Sequence, residues 1–295
     1  DHDGWYLQEK QIMYIFGGQP LNSILTIINV ANGSVMQIPT DIPPRTNHTV
    51  TYLQSFADEG AALIVFGGKT ERNEALNDLW KINLTNYSTK LLPSKDPPKP
   101  RYGHTAIIAK NRLWIYGGMS KKTVFGDVCH YDFESTHWMK TNKCEGDPNV
   151  PTPRAFHSSA LIGNEWYIYG GINDKKASPL TSKVSDDKDK TYSKLYKFNF
   201  ENFDWTAIDM FGAKEVAFNK CRAWHRLIAQ DYFLVVIGGS GSCTENPIFV
   251  YDTKFQGFFL CKSCYNYPPF LCSFYAGIGL ITSEDHYPRI LIQGG

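Results

Sequence analysis

Apolar and polar stretches alternate along this chain with a long, regular beat, and six of the apolar runs end on two adjacent glycines. The runs are Met-Tyr-Ile-Phe before Gly17-Gly18, Leu-Ile-Val-Phe before Gly67-Gly68 and Leu-Trp-Ile-Tyr before Gly117-Gly118. Trp-Tyr-Ile-Tyr precedes Gly170-Gly171, Leu-Val-Val-Ile precedes Gly238-Gly239, and Ile-Leu-Ile-Gln precedes Gly294-Gly295. Such short runs, rich in β-branched and aromatic residues, predict strands buried on both faces. Downstream, the segments 78–83, 127–132, 194–199 and 247–252 alternate with period two and then meet turn residues. Trp138 and Trp205 follow in two repeats, with Val35, Leu91 and Phe258 in roughly that place in others. The glycine pairs lie 50, 50, 53, 68 and 56 residues apart, which is the period of a propeller blade and not of a helical solenoid.

Upstream of four of the pairs stands the same element: Arg45-x-x-His48, Arg101-x-x-His104, Arg154-x-x-His157 and Arg222-x-x-His225. Together with the glycine pairs and the downstream strands, it resembles the kelch repeat over almost the whole chain. The resemblance implies an all-β, six-bladed propeller formed by residues 1–295 as one domain. Each blade then has four antiparallel strands, a to d from the centre outward. Strand b of each blade ends at a glycine pair, at residues 16, 66, 116, 169, 237 and 293. The d-to-a and b-to-c loops share one face, and the a-to-b and c-to-d hairpins share the other. The sixth blade is expected to be incomplete, because the sequence stops at its b strand, and both ends read as trimmed.

Composition changes little. With 30 Lys+Arg against 29 Asp+Glu, bulk charge recruits neither nucleic acid nor membrane. No apolar run approaches the roughly 18–20 residues needed to span a bilayer. Asn-x-Ser/Thr sequons occur at Asn32, Asn47, Asn83 and Asn86, and there are seven cysteines. A glycan is harmless on Asn32 and Asn86, in c-to-d hairpins, but on Asn47 it would crowd the entry to the innermost strand. An odd cysteine count favours an intracellular, reduced compartment over a full disulfide framework. Cys129, in a hydrophobic strand, reads as a buried free thiol. Cys261-x-x-Cys264 with Cys272 invites a zinc reading, but tetrahedral zinc wants four ligands and His286 belongs to another blade. A local disulfide or free thiols also fit, and no metal or other cofactor is assigned.

Candidate chemistry lies on the loop face. Four arginines and histidines around a channel could hold carboxylate or phosphate. The same pair in four blades more economically serves a structural role between blades. The residues between them differ from blade to blade and place Tyr102, Phe156 and Trp224 near the pore mouth, where aromatic side chains can anchor a partner peptide or pack on the next blade. The b-to-c loops are basic in blades two to four, with Lys69 and Arg72, Lys121 and Lys122, and Lys175 and Lys176. Blade four also carries an insertion over about 173–193, of surface-loop composition. Clustered basic loops form a footprint for phosphate or an acidic partner, with solvated loop tips as the plainer reading. No nucleophile elbow, Ser/His/Asp order, paired carboxylates or phosphate-cradling loop is present, so no catalytic residue is assigned. The tyrosine and histidine set of copper oxidases, which also use such propellers, cannot be placed.

Within the kelch family, residues 44–70 resemble the second blade of the non-catalytic kelch subunit of the RAG (V(D)J) recombinase. They share its Thr-x-Ser/Thr-Tyr start, a long acidic a-to-b loop and a Gly-Gly-Lys-Thr ending. Segments 73–78, 100–104, 132–134 and Asp3-Gly4 continue in register. The long insertion falls one blade later here, and no plant-homeodomain finger follows, which suits an invertebrate or transposon-borne relative. The resemblance implies a nuclear, non-enzymatic subunit that docks on a catalytic recombinase or transposase and contacts DNA through that complex. A generic kelch adaptor, either a ubiquitin-ligase receptor or a cytoskeletal scaffold, is the alternative, and a secreted ectodomain is a third.

Overall fold

A computed structural model describes residues 2–55, 60–121, 123–141, 147–173, 194–208, 222–241, 248–260, 277–282 and 288–293. Blade one is β1 (Asp3–Leu7), β2 (Ile12–Phe16), β3 (Ile24–Asn29) and β4 (Val35–Pro39). Blade two is β5 (Thr49–Leu53), β6 (Ala62–Phe66), β7 (Leu79–Asn83) and β8 (Thr89–Leu91). Blade three is β9 (Thr105–Ala109), β10 (Arg112–Tyr116), β11 (Val128–Asp132) and β12 (His137–Thr141). Blade four is β13 (Ser158–Ile162), β14 (Glu165–Tyr169), β15 (Leu195–Asn199) and β16 (Trp205–Ile208). After the short β17 (Arg222–Ala223), blade five is β18 (Arg226–Gln230), β19 (Phe233–Ile237), β21 (Ile248–Asp252) and β22 (Gly257–Leu260), with β20 (Ser240–Gly241) paired to β17. Each blade is an antiparallel sheet in sequence order.

Among the described residues there are five four-stranded blades. In place of a sixth stands a two-stranded sheet, β23 (Gly277–Thr282) and β24 (Pro288–Gln293). The innermost strands follow one another around a ring, β1 to β5 to β9 to β13 to β18, and β23 lies against both β18 and β1. All six strands that precede a glycine pair end at the expected residue.

The b strands explain why the blades stack. Alternate residues of a strand face opposite sides of its sheet, and β6, β10 and β14 each spend their two sides on two different cores. Leu63 and Val65 of β6 pack with Tyr14, Phe16 and Leu25 of blade one. Ile64 and Phe66, which alternate with them in sequence, pack with Leu113 and Ile115 of blade three. Trp114 and Tyr116 turn the other way, onto Trp166 and Ile168 of blade four. Tyr167 and Tyr169 then meet Leu234 and Val236 of blade five. A continuous apolar run is therefore required: a polar residue at any of these places would be buried between blades without a partner.

The c-to-d hairpins repeat one capping device. The last residue of each c strand accepts the N–H two residues on: Asn29 from Ala31 (3.0 Å), Asn83 from Thr85 (2.7 Å), Asp132 from Glu134 (3.1 Å), Asn199 from Glu201 (2.8 Å) and Asp252 from Lys254 (2.8 Å). This is the Asx turn that Asn and Asp side chains favour. The outer strands are less regular. Trp138, Trp205, Phe258 and Val35 stand opposite Tyr131, Phe198, Tyr251 and Ile28. Leu91 does not hold that place in blade two. It pairs with Trp80 and is 54% exposed, while Thr89 lies opposite Ile82, because the Asn83–Ser88 hairpin closes in the same register as Asn29–Ser34 of blade one.

Truncating a b-strand residue that is sealed between two blades should be costly. We predict that Leu63→Ala lowers the unfolding free energy by about 2–5 kcal/mol, read from urea denaturation. Leu91→Ala, at the exposed edge, should change it by less than about 0.5 kcal/mol.

Candidate interaction face

The repeated arginines are fully buried and join each blade to the one before it. Arg45 Nη1 donates to the Gly67 carbonyl of its own blade (3.1 Å). Both oxygens of Asp78 accept from Arg45, at 2.7 and 2.8 Å, and its Nε donates to the Pro43 carbonyl (3.0 Å). Arg101 repeats the set on Gly117 (2.9 Å), Asp127 (2.8 and 3.2 Å) and Lys99 (3.1 Å). Arg154 and Arg222 reach Gly170 (2.8 Å) and Gly238 (2.9 Å). The backbone carbonyl of the same arginine faces the preceding blade. It accepts the second-glycine N–H of Gly18, Gly68, Gly118 and Gly171 in turn, at 3.1, 2.9, 2.9 and 2.8 Å. Burial raises the carboxyls of Asp78 and Asp127, but their arginines outweigh it and hold both below the ordinary carboxylate value.

The histidines fill the space that the glycines leave. Each stacks edge-on against the aromatic residue before the preceding blade's glycine pair: His48 on Phe16 (5.4 Å), His104 on Phe66 (5.3 Å), His157 on Tyr116 (5.2 Å) and His225 on Tyr169 (5.3 Å). A Cβ on Gly117 would stand 2.6 Å from the Arg154 carbonyl and 2.8 Å from the His157 ring, at φ +67°. The pattern has a member that the Arg-x-x-His spacing misses. His2 packs against Gly18 as His48 packs against Gly68, and like the others it immediately precedes an innermost strand. Its placement immediately before β1 and its packing on Gly18 mark it.

Beside each arginine a short bridge ties the d-to-a loop to its own blade's b-to-c loop: Thr46 to Lys69, Tyr102 to Met119, Ala155 to Ile172 and Ala223 to Ser240. The two loops therefore share one face, around a channel of about 590 Å³. The next residue of each repeat lines that channel: Asn47, Gly103, Phe156 and Trp224. All four have left-handed backbone, at φ 54°, 64°, 56° and 56°. This turns their peptides into a belt around the mouth. Gly103 N–H donates to Asn47 (2.9 Å), Phe156 N–H to Gly103 (2.7 Å) and Trp224 N–H to Phe156 (3.0 Å). Below the belt, Arg226 of β18 forms an ion pair with Asp3 of β1 at 2.9 Å, spanning the position of β23.

Three aromatic side chains follow one another along this rim. The Tyr102 and Phe156 ring centres are 6.2 Å apart, and those of Phe156 and Trp224 are 5.1 Å apart. Tyr102 lies outside the channel lining and carries Lys69 Nζ 5.1 Å above its ring. Lys69 is half-buried, donates to Asn73 (2.9 Å), and has its pKa lowered by burial. Arg72 and Lys121 are exposed on the same loops, but Glu71 and Glu74 are exposed beside Arg72, so the blade-two loop is not a simple basic patch. Lys122, Lys175 and Lys176 lie outside the described residues, as do Cys261, Cys264, Cys272 and His286. Cys129 is buried, which with Asp127 pushes its thiol up to about 12. Among the described residues no three His, Cys, Asp or Glu side chains cluster as a metal site. Likewise, among them no helix is long and apolar enough to cross a membrane.

A ring of four-stranded blades, with a buried arginine and a glycine pair at each of the four joints between blades one to five, defines a repeat β-propeller. The family model described as the KLHDC2/KLHL20/DRC7 Kelch-repeats domain matches residues 6–182 and 87–270. The chain belongs to the kelch-repeat family. Acyl-CoA-binding domain-containing protein 5 of Arabidopsis thaliana is 35% identical over 130 residues, 43% of this chain and 20% of that protein. Rho GTPase-activating protein gacHH of Dictyostelium discoideum is 30% identical over 169 residues, 56% of this chain and 10% of that protein. Host cell factor 2 of Homo sapiens is 22% identical over 276 residues, 68% of this chain and 34% of that protein. The chain thus spans about a third or less of each of these relatives.

Two tests follow from the joint. Gly117→Ala should lower the unfolding free energy by about 2–5 kcal/mol, combining backbone strain with overpacking, read by urea denaturation. Acid should weaken the fold through the histidines. Burial first, and the neighbouring arginines next, depress His104 and His225 to about 3 and His48 and His157 well below the ordinary value. The unfolded chain takes up these protons near pH 6.5 and the folded chain does not. The stabilisation is therefore complete above pH 6.5 and is lost as pH falls toward the folded values, by up to about 1.4 kcal/mol per pH unit for each histidine. We predict a urea midpoint that falls steadily from pH 7 to pH 4, and more shallowly in His104→Asn.

Proposed function

We propose that this chain is a non-catalytic interaction subunit that binds a partner protein with the loop face around the channel mouth. One observation carries the reading: the side chains that differ most between otherwise repeated blades, Tyr102, Phe156 and Trp224, converge on that rim. The belt beneath them is common to the blades, whereas the rings are not. The host cell factor relatives, matched over most of this chain, support a propeller used as a module within a larger protein. In this reading the ring has six positions, with β23 and β24 forming the inner half of the sixth blade.

A second reading names the partner. The likeness of residues 44–70 to the recombinase kelch subunit, with Lys69, Arg72 and Lys121 on the same face, supports a nuclear subunit that docks on a RAG-like recombinase or transposase. DNA is then contacted only through the complex. Glu71 and Glu74 weaken the phosphate footprint of this loop. Alanine at Lys69, Arg72 and Lys121 should then reduce the salt dependence of DNA binding by the assembled complex equally on cognate and scrambled DNA, because phosphate contacts do not read bases. An unchanged salt slope would remove DNA from this face.

The broader reading is tested by placing a photo-crosslinking amino acid at Tyr102 or, on the opposite face, at Asn202 in the c-to-d hairpin. We expect a discrete protein adduct in cells from the Tyr102 position and none from Asn202. Adducts confined to Asn202 would overturn the assignment of the binding face.

A further inference from the structure

We propose that the segment recognised at the channel mouth is an extended, proline-bearing peptide laid along Tyr102, Phe156 and Trp224; this rests on the reading of the loop face as the partner site. The first support is what the rim has already used. Gly103 and Phe156 each donate their N–H and offer their carbonyl within the belt, so neither is left to form a ladder with an incoming strand. A β-strand added here would bury its own N–H groups unpaired at those positions. Proline has no N–H to satisfy.

The second support is the rings themselves. Their centres are 6.2 and 5.1 Å apart, close to the advance of two residues along a polyproline II helix, at about 3.1 Å per residue. Proline rings pack well against such a row of aromatic faces. The third is an unused donor. Trp224 is 7% exposed, lines the channel, and its indole Nε1 has no hydrogen-bond partner. A proline-rich backbone consists largely of acceptors, and an indole N–H is a donor only. Finally, Phe156 and Trp224 hold left-handed backbone, which bulky residues rarely adopt, where blade two has Asn47 and blade three Gly103. Aromatic rings are kept at the two places where the backbone disfavours them.

The probe is capped decaproline, titrated into the intact protein and followed by calorimetry, against a capped alanine–glutamine peptide of equal length. We expect saturable binding of decaproline and none of the control. Phe156→Ala should weaken binding about tenfold or more. Trp224→Phe keeps a ring but loses the donor, and should weaken binding severalfold with the thermal midpoint held. Tyr102→Ala, outside the belt, should weaken binding without affecting folding. Equal binding of both peptides, no saturation by decaproline, or unchanged affinity in Tyr102→Ala and Trp224→Phe would overturn the proposal. Should Tyr102 crosslink a partner while decaproline fails to bind, the peptide chemistry is wrong and the face stands. Should decaproline bind as expected while partner adducts come only from Asn202, the chemistry of the rim is right and the partner site lies elsewhere.

Discussion

The joint between blades is the constraint on which the rest of this structure depends. A guanidinium removed from water is tolerated only when its donors are used, and Arg45 uses all three of its nitrogens, on Pro43, Gly67 and Asp78. Its carbonyl simultaneously accepts from Gly18 in the preceding blade. One residue thereby fixes the first glycine of its own blade and the second glycine of its neighbour. A side chain on either glycine would push the blades apart, as the 2.6 Å approach at Gly117 shows. The arginine, the glycine pair and the intervening histidine are one unit of packing, not a set of separate motifs.

That unit also decides where variation can be accommodated. Away from the joint, the c-to-d hairpins repeat the same Asx turn with Asn or Asp, and β6, β10 and β14 must stay apolar because both of their faces serve a core. The residues between arginine and histidine are different. Their backbone is committed to the belt, but their side chains project around the channel mouth and can be Asn, Gly, Phe or Trp. The histidines beside them are poor candidates for chemistry: burial and the adjacent arginines keep them neutral at any ordinary pH. They serve as flat, compact packing against Phe16, Phe66, Tyr116 and Tyr169.

The strand order, the antiparallel blades and the residue at which each b strand ends were legible in the sequence, because glycine pairs and period-two alternation record backbone geometry locally. Thr46, Tyr102, Ala155 and Ala223 could be placed on the loop face for the same reason. The outer strand of blade two was not legible: Leu91 is apolar, yet the Asn83–Ser88 hairpin puts the polar Thr89 in register. His2 was not legible as a joint histidine, because a single histidine before a strand carries no pattern of its own and only its packing against Gly18 reveals the role.

Sequence by itself determined the repeat, the buried strands and the turns, since each depends on the conformational preferences of a few neighbouring residues. Only the tertiary structure decided which of those residues meet. The Asp3–Arg226 ion pair joins positions 223 residues apart. The belt from Asn47 to Trp224 runs through four blades, and the aromatic rim exists only once blades three, four and five stand side by side. Those contacts are set by ring closure, a property of all the blades together that no single repeat encodes.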